Sequence, residues 1–291
     1  MRAGRFIRPA PSRRPAACLF EKILPLLAIP TLKSVKFAFF LNRRRMNLCI
    51  DTGNTRTKLA VFDGARLVHR QVCEPLTLDE LKLLAYNQKV NRVILSSVAE
   101  VPAEVEDFLK NNFFYLQLTT GTPLPIAIRY KTPHTLGKDR IAAAAGAFGL
   151  YPGENCLVMD AGTCITADIL SATGEFLGGN IAPGLEMRLK AMHHFTARLP
   201  MVSRELQTPD FIGDSTESAI WNGAMLGAVW EMQGFIRQCR KQFRPLRVIL
   251  TGGDADFFAK NLKTKIFAHP NLVLFGLNII LQHNVEKFER S

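Results

Sequence analysis

Asp51-Thr52-Gly53-Asn54-Thr55-Arg56-Thr57-Lys58 lies between two apolar runs, Leu48 to Ile50 and Leu59 to Phe62, and reads as strand, glycine turn, strand. A carboxylate at a strand end, followed by such a turn, offers backbone N–H groups and hydroxyls to a phosphate and an acid to a hydrated cation. Gly53 lets the backbone close on the phosphate, Asn54 and Thr55 donate to it, and Asp51 orients Mg²⁺ and its waters. A second strand, Asn155 to Met159, ends the same way in Asp160-Ala161-Gly162-Thr163. One such turn is also what an ordinary hairpin looks like. Two, each heading its own run of strands, make a duplicated nucleotide clamp. Between them stands Gly137-Lys138-Asp139-Arg140, just ahead of the helical stretch that runs to Leu150. A helix start next to an arginine favours anions, which suits a carboxylate-bearing substrate, although an acid there can equally be a plain helix cap.

Three more segments are rich in turn residues. Gly178-Gly179-Asn180-Ile181-Ala182-Pro183-Gly184 reads as a connector into a helix begun by Pro183. In Gly213-Asp214-Ser215-Thr216, either hydroxyl residue can cap the long helix that follows. Thr251-Gly252-Gly253-Asp254 follows a strand and reads, from its residues, as a strand-to-helix turn. His193 and His194 are adjacent on a helix, so they point apart, and no third ligand accompanies them.

The elements that carry these groups alternate. Strands are predicted at Met46–Ile50, Leu59–Phe62 and Ala65–Val72, with Asp63-Gly64 as a hairpin turn. A capping box of Thr77 and Glu80 starts a helix over Leu78–Asn87. Strand Arg92–Ser96, helix Ala103–Asn111 and strand Phe114–Leu118 complete a first half. The second half opens with strand Asn155–Met159, strand Ile165–Leu170, a turn at Thr173-Gly174 and a short strand near Phe176–Gly178. Helices over Leu185–Met192 and Thr216–Gln242, strand Arg247–Leu250 and helix Ala255–Leu262 follow. The closing apolar stretch Leu272–Leu281 reads as a short strand mixed with a helix. Alternating strands and helices predict an α/β class.

The net charge of +12 is concentrated at one end. Residues 1–45 hold eleven Lys/Arg and one acid, Glu21, so the remaining 246 residues carry only +2. That body has no electrostatic footprint for nucleic acid, and none is expected as a partner. The basic segment is interrupted by Glu21, Lys22, Pro25, Pro30, Lys33 and Lys36, which leaves it short of a membrane span. Met46 opens the first strand directly, so the expectation is that functional translation starts there. A transit peptide and a basic surface arm are the competing readings. The six cysteines have no metal spacing and read as small buried hydrophobes of a reducing cytoplasm.

The ordered set DTGNTRTK, GKDR, DAGT, GGNIAPG and GDST resembles the type III pantothenate kinase family. That family lies within the actin, hexokinase and heat-shock-protein phosphotransferase superfamily. The resemblance runs from Met46 nearly to the C-terminus. It implies an α/β fold of two actin-like (ribonuclease H-like) lobes with an ATP cleft between them, one lobe over 46–150 and one over 151–291. It implies ATP-dependent phosphorylation of pantothenate in the cytoplasm by a homodimer, with Mg²⁺ and a monovalent cation, K⁺ or NH₄⁺. By the same resemblance Asp139 takes the proton from the substrate hydroxyl. Asp51, Thr52, Gly53, Asn54, Thr55, Arg56, Thr57, Lys58 and Thr163 hold ATP, and Asp160 holds the monovalent cation. Tyr130, Gly137, Lys138, Arg140 and Thr216 meet pantothenate. Lys138 stands where the family more often has a small residue, and Cys164 where it often has alanine. A sugar or acetate kinase of the superfamily, and a regulatory paralogue without catalysis, are the rival readings.

Overall fold

The computed structural model describes residues 46–290 apart from 54, 55, 75, 99 and 204–208. The expectations for residues 1–45, including a start at Met46, lie outside the described residues.

The first half forms strands β1 (Met46–Thr52), β2 (Thr57–Asp63) and β3 (Arg66–Cys73) as an antiparallel meander. Gly64 turns the β2–β3 hairpin with φ +60, the left-handed conformation that glycine adopts without a Cβ clash. Helix α1 (Leu78–Asn87) starts with the predicted capping box: the Glu80 N–H donates to Thr77 Oγ1 at 3.3 Å and the Thr77 N–H to Glu80 Oε2 at 3.2 Å. Strand β4 (Arg92–Ser97) adds parallel to β1, helix α2 (Ala103–Asn112) crosses over, and β5 (Phe114–Gln117) adds parallel to β4. The strand order is β3-β2-β1-β4-β5.

A short strand, β6 (Ala127–Ile128), and helix α3 (Lys138–Leu150) lead to the second half. There β7 (Asn155–Ala161), β8 (Cys164–Leu170) and β9 (Glu175–Pro183) repeat the antiparallel meander. Helices α4 (Leu185–His194) and α5 (Thr216–Gln242) precede β10 (Leu246–Thr251); α6 (Ala255–Asn261), β11 (Phe267–Ala268) and α7 (Leu272–Arg290) follow it. The order β11-β10-β7-β8-β9 is that of the first sheet, with β6 added outside β9. The duplication visible in sequence only as two acid-Gly turns is therefore a duplication of topology. The fold is α/β with two mixed sheets.

Strand alternation sorts side chains into separate cores. Leu48 and Ile50 of β1 pack outward under α1 and α2, whereas Cys49 faces inward. Leu157 and Met159 of β7 face α5, whereas Cys156 and Val158 face inward. The inward faces of both sheets share one core with α3 and α7. The two helices are exchanged between halves: α3, which closes the first half, packs on β7 and β8, and α7, which closes the second, packs on β1, β2 and β4. They cross with backbones almost touching. A Cβ on Gly276 would fall 1.7 Å from the Ala142 carbonyl oxygen, and one on Gly146 would fall 2.6 Å from that of Leu272. A buried polar tie secures α7 to the first sheet: Asn47 Nδ2 donates to Asn278 Oδ1, and Asn278 Nδ2 to the Gly64 carbonyl, each at 2.8 Å.

Four details differ from the predicted elements. The Leu272–Leu281 stretch is all helix, because α7 is buried on several sides and so lacks the polar face that marks a helix in sequence; the short strand lies earlier, at Phe267–Ala268. The third strand of the second half continues to Pro183 instead of stopping near Gly178. Pro183 therefore ends a strand, and Gly184 is the N-cap of α4. β6 was not predicted; its two residues pair with Glu175 and Phe176 and carry no periodicity of their own.

Candidate active site

Both acid-Gly turns sit at corresponding ends of the two sheets. Asp51 and Thr52 end β1, with Lys58 directly across the ladder from Asp51. The turn closes through the Gly53 N–H, which donates to the Arg56 carbonyl at 3.0 Å. Asn54 and Thr55 lie outside the described residues. Thr57 is buried and its hydroxyl turns back toward Thr52 Oγ1 at 3.4 Å, while exposed Arg56 pairs with Glu74 on the hairpin. In the second half Asp160 is in β7, Thr163 is exposed at the β7–β8 turn, and the Gly162 N–H donates to the Cys164 carbonyl at 3.0 Å.

Glycines crowd around this second turn. A Cβ on Gly252, whose φ is +98, would lie 2.5 Å from Asp160 Oδ1 and 2.3 Å from the Ala161 carbonyl. One on Gly184 would lie 2.3 Å from the Gly162 carbonyl. The Thr251–Asp254 turn and the end of GGNIAPG are thus pressed onto the Asp160 loop, which explains glycine at both positions.

The N-terminus of α3 carries the third component. Asp139 is exposed in the first turn of α3, and its Oδ1 accepts the Arg140 backbone N–H at 2.9 Å; the N-cap itself is Gly137, and no side chain caps the helix there. Lys138 Nζ donates to the Ser97 carbonyl at 3.0 Å, tying the start of α3 to the end of β4. Arg140 turns inward and is buried against Asp168 of β8. Its guanidinium carbon lies 5.7 Å from the ring centres of both Tyr130 and Phe176. The two rings meet edge to face at 6.1 Å.

Electrostatics ties the three components together. Burial raises the Asp51 carboxyl most; Lys58 opposes the shift, Asp139 adds repulsion, and a hydrogen bond with Ser96 lowers it again. Asp160 is pushed up to about 6, first by burial and then by Asp139, Asp51 and Asp168, against the attraction of Lys58. Asp51, Asp139 and Asp160 therefore share one region, with Lys58 the cation felt by both strand-end acids. Among the described residues, no hydrogen bond or ion pair joins Thr216 to this group. It is exposed as the first residue of α5, and Ser215 takes the capping role by accepting from the Ser218 N–H at 3.2 Å.

Among known families, the type III pantothenate kinase model matches residues 47–238. The chain belongs to the type III pantothenate kinase family. The relative from Christiangramia forsetii is 46% identical over 243 residues, covering 82% of this chain and 99% of that one. The relative from Phocaeicola vulgatus is 44% identical over 240 residues, with 82% and 99% coverage. In shape the chain is similar to a Baf family transcriptional activator from Campylobacter jejuni, with a TM-score of 0.55 and 23% identity over 82% of this chain and 99% of that one. That likeness speaks for the fold alone.

Two residues beside the candidate site escaped the sequence reading. Asp168 sits in an apolar strand run, and an acid there, eight residues past Asp160, is the only signal it gives. Ser96, at the end of β4 and buried, reads in sequence as an ordinary strand terminus. Among the described residues, no helix is long and apolar enough to cross a membrane. The five described cysteines are free, and all but Cys164 are buried.

Proposed function

We propose that this chain transfers the γ-phosphoryl group of ATP to the hydroxyl of pantothenate, giving 4′-phosphopantothenate. The observation that carries the reading is that Asp51 and Asp160 end equivalent strands of two sheets of the same topology, with Asp139 close enough for its charge to act on both. Phosphoryl transfer asks mostly for positioning and charge stabilisation, with one carboxylate near the attacking hydroxyl. Asp139 is the exposed acid of the three and is the base in this reading. The turns from Asp51 to Lys58 and at Thr163 hold the phosphates of ATP. Tyr130, Gly137, Lys138 and Arg140 line the acceptor side, and Arg140 and the α3 N-terminus supply donors for the pantothenate carboxylate.

The donor set also fits cations. No three His, Cys, Asp or Glu residues among the described ones converge into a complete metal cage. Mg²⁺ needs no such cage, since one or two carboxylates with phosphates and water suffice, and Asp51 supplies one. Asp160 takes the K⁺ or NH₄⁺. These cations neutralise charge on the phosphates.

We also place the protein in a homodimer. Phe211 and Ile212 are about three-quarters exposed, at 74% and 75%, and Trp230 on α5 is 51% exposed. Phe211 and Trp230 meet edge to face at 6.4 Å, so these exposed rings form one apolar patch at α5.

The test is a coupled ADP-release assay with pantothenate, run in K⁺ and then in Na⁺, with sedimentation of the same preparation. Pantothenate-dependent ADP release that is stronger in K⁺ is expected. ADP release that ignores pantothenate would overturn the reading in favour of another acceptor.

The raised Asp160 carboxyl gives a separate expectation. Its ordinary value is 3.8 and its folded value about 6, so the folded chain takes up a proton that the unfolded chain lacks between those limits. The cost is present in full above about 6 and is relieved as pH falls toward about 4; a shift of this size is on the order of 3 kcal/mol. Without K⁺ or Mg²⁺, Asp160→Asn should raise the thermal midpoint at pH 7.5 and leave it nearly unchanged at pH 4. K⁺ should stabilise the parent and not the variant. Equal midpoints at pH 7.5 would show that Asp160 holds no uncompensated charge.

A further inference from the structure

The pairing of Arg140 with Asp168 is a second device within the acceptor side. Arg140 Nε lies 3.1 Å from Asp168 Oδ1 and 3.0 Å from Oδ2, and Nη2 also donates to Oδ1. Both residues are buried, at 6% and 2% exposure. Asp168 shares the inward face of β8 with apolar Leu170, opposite Val158 and Gly179 on the flanking strands. An isolated ion pair in such a place is a poor source of stability, because desolvation offsets the attraction and an apolar pair of similar volume does as well. The surroundings are nevertheless shaped to keep it. A Cβ on Gly179 would sit 2.4 Å from Asp168 Oδ1 and 2.1 Å from the Ala167 carbonyl. One on Gly178, with φ +116, would sit 3.5 Å from the Tyr130 ring. The double glycine of GGNIAPG therefore lets β9 lie flat against Asp168 on one side and Tyr130 on the other.

Arginine has five N–H donors in a rigid plane. Asp168 takes those on the Nε–Nη2 edge, and the Tyr130 and Phe176 rings flank the guanidinium. The plane of the fork is thus fixed before any substrate arrives. Asp168 also cancels most of the Arg140 charge, so what remains for a ligand is direction more than net attraction.

We propose that Asp168 is a positioning residue: it acts through Arg140, aiming the remaining donors at the carboxylate of the acceptor substrate. This rests on the reading of pantothenate as acceptor. A donor pair aimed in advance discriminates a planar carboxylate from an alcohol or amide at the same place.

The experiment compares the parent with Asp168→Asn, Asp168→Glu and Arg140→Lys, measuring KM for pantothenate, KM for ATP, kcat and the thermal midpoint. Inhibition by pantothenol, which carries an alcohol where pantothenate has its carboxylate, is measured on each. Asp168→Asn keeps the shape and removes the charge-assisted bonds, so KM for pantothenate should rise about 10- to 100-fold, as expected for loss of one such bond. KM for ATP and inhibition by pantothenol should change less than about threefold. Asp168→Glu restores the charge but displaces the fork, and should leave KM for pantothenate raised. Full rescue by Glu would overturn the proposal in favour of simple charge neutralisation. An unchanged KM in Asp168→Asn, or equal rises for both substrates with a lowered midpoint, would overturn it in favour of an idle or purely structural pair. If Asp168→Asn does not fold, Asp168→Glu and Arg140→Lys carry the comparison; Arg140→Lys raising KM for pantothenate while a folded Asp168→Glu matches the parent sinks the positioning role alone. A parent chain without pantothenate-dependent turnover overturns the underlying reading, and the proposal with it.

Discussion

Asp139→Asn should lower kcat about 100- to 1,000-fold, within the range for loss of a general base, while KM for ATP stays within about threefold. The substitution is informative because of what it keeps. The Asp139 Oδ1 accepts the Arg140 N–H at 2.9 Å, and the carboxamide oxygen of asparagine can accept the same bond. The N-terminus of α3, the Arg140 side chain and the contact between Lys138 and Ser97 should then remain in place. What is lost is the ability to accept a proton from the attacking hydroxyl, and a negative charge facing Asp51 and Asp160. Removing that repulsion should leave the thermal midpoint unchanged or slightly raised. Steady-state kinetics beside differential scanning fluorimetry separates the two effects. A kcat within fivefold of the parent would show that positioning alone carries the reaction and that Asp139 serves only to hold the Arg140 N–H.

Gly276→Ala should have the largest effect on stability. The added Cβ falls 1.7 Å from the Ala142 carbonyl oxygen and 2.5 Å from its carbon. Both are backbone atoms in the middle of α3, so no side chain can rotate away and one helix must move. A destabilisation of about 3 kcal/mol or more is expected, at or beyond the upper end for overpacking. For a domain of this size that is a fall of roughly 10 °C in the midpoint. Activity at low temperature should also drop, because α3 carries Asp139 and Arg140 at its start. Gly121→Ala, where the nearest atom to a new Cβ is Thr119 Oγ1 at 4.0 Å, is the control and should stay within about 0.5 kcal/mol. A midpoint within about 2 °C of the parent for Gly276→Ala would show that the helices separate at little cost.

Local chemistry was readable because it depends on neighbours in sequence. The Thr77 capping box, the Asp63-Gly64 hairpin and the two acid-Gly turns each involve residues a few positions apart, and each appears in the structure where the residue types place it. Strand β6 was not readable, since two residues are too few for a period and their partners lie far along the chain. Helix α7 was half misread for a related reason: a helix buried on several sides loses the alternation that distinguishes it from a buried strand. The extension of β9 to Pro183 was hidden by its own glycines, which look like a loop until the Asp168 carboxylate that requires them is seen beside them. At the candidate site the motifs marked Asp51, Asp139, Arg140 and Asp160. They could not reveal that Arg140 is already engaged, because its partner belongs to a strand of the other half.

The exchange of α3 and α7 has a consequence for how the molecule can come apart. Neither half can finish its own interior: the roof over the first sheet is the last helix of the second, and the roof over the second sheet is the last helix of the first. A fragment ending after α3 would expose Cys49, Phe62 and Ile94 to water, and one beginning at β7 would leave Cys156 and Val158 bare. The two sheets should therefore melt together in one transition, despite their repeated topology. Two separately expressed fragments, each dormant, should regain a shared interior only on mixing.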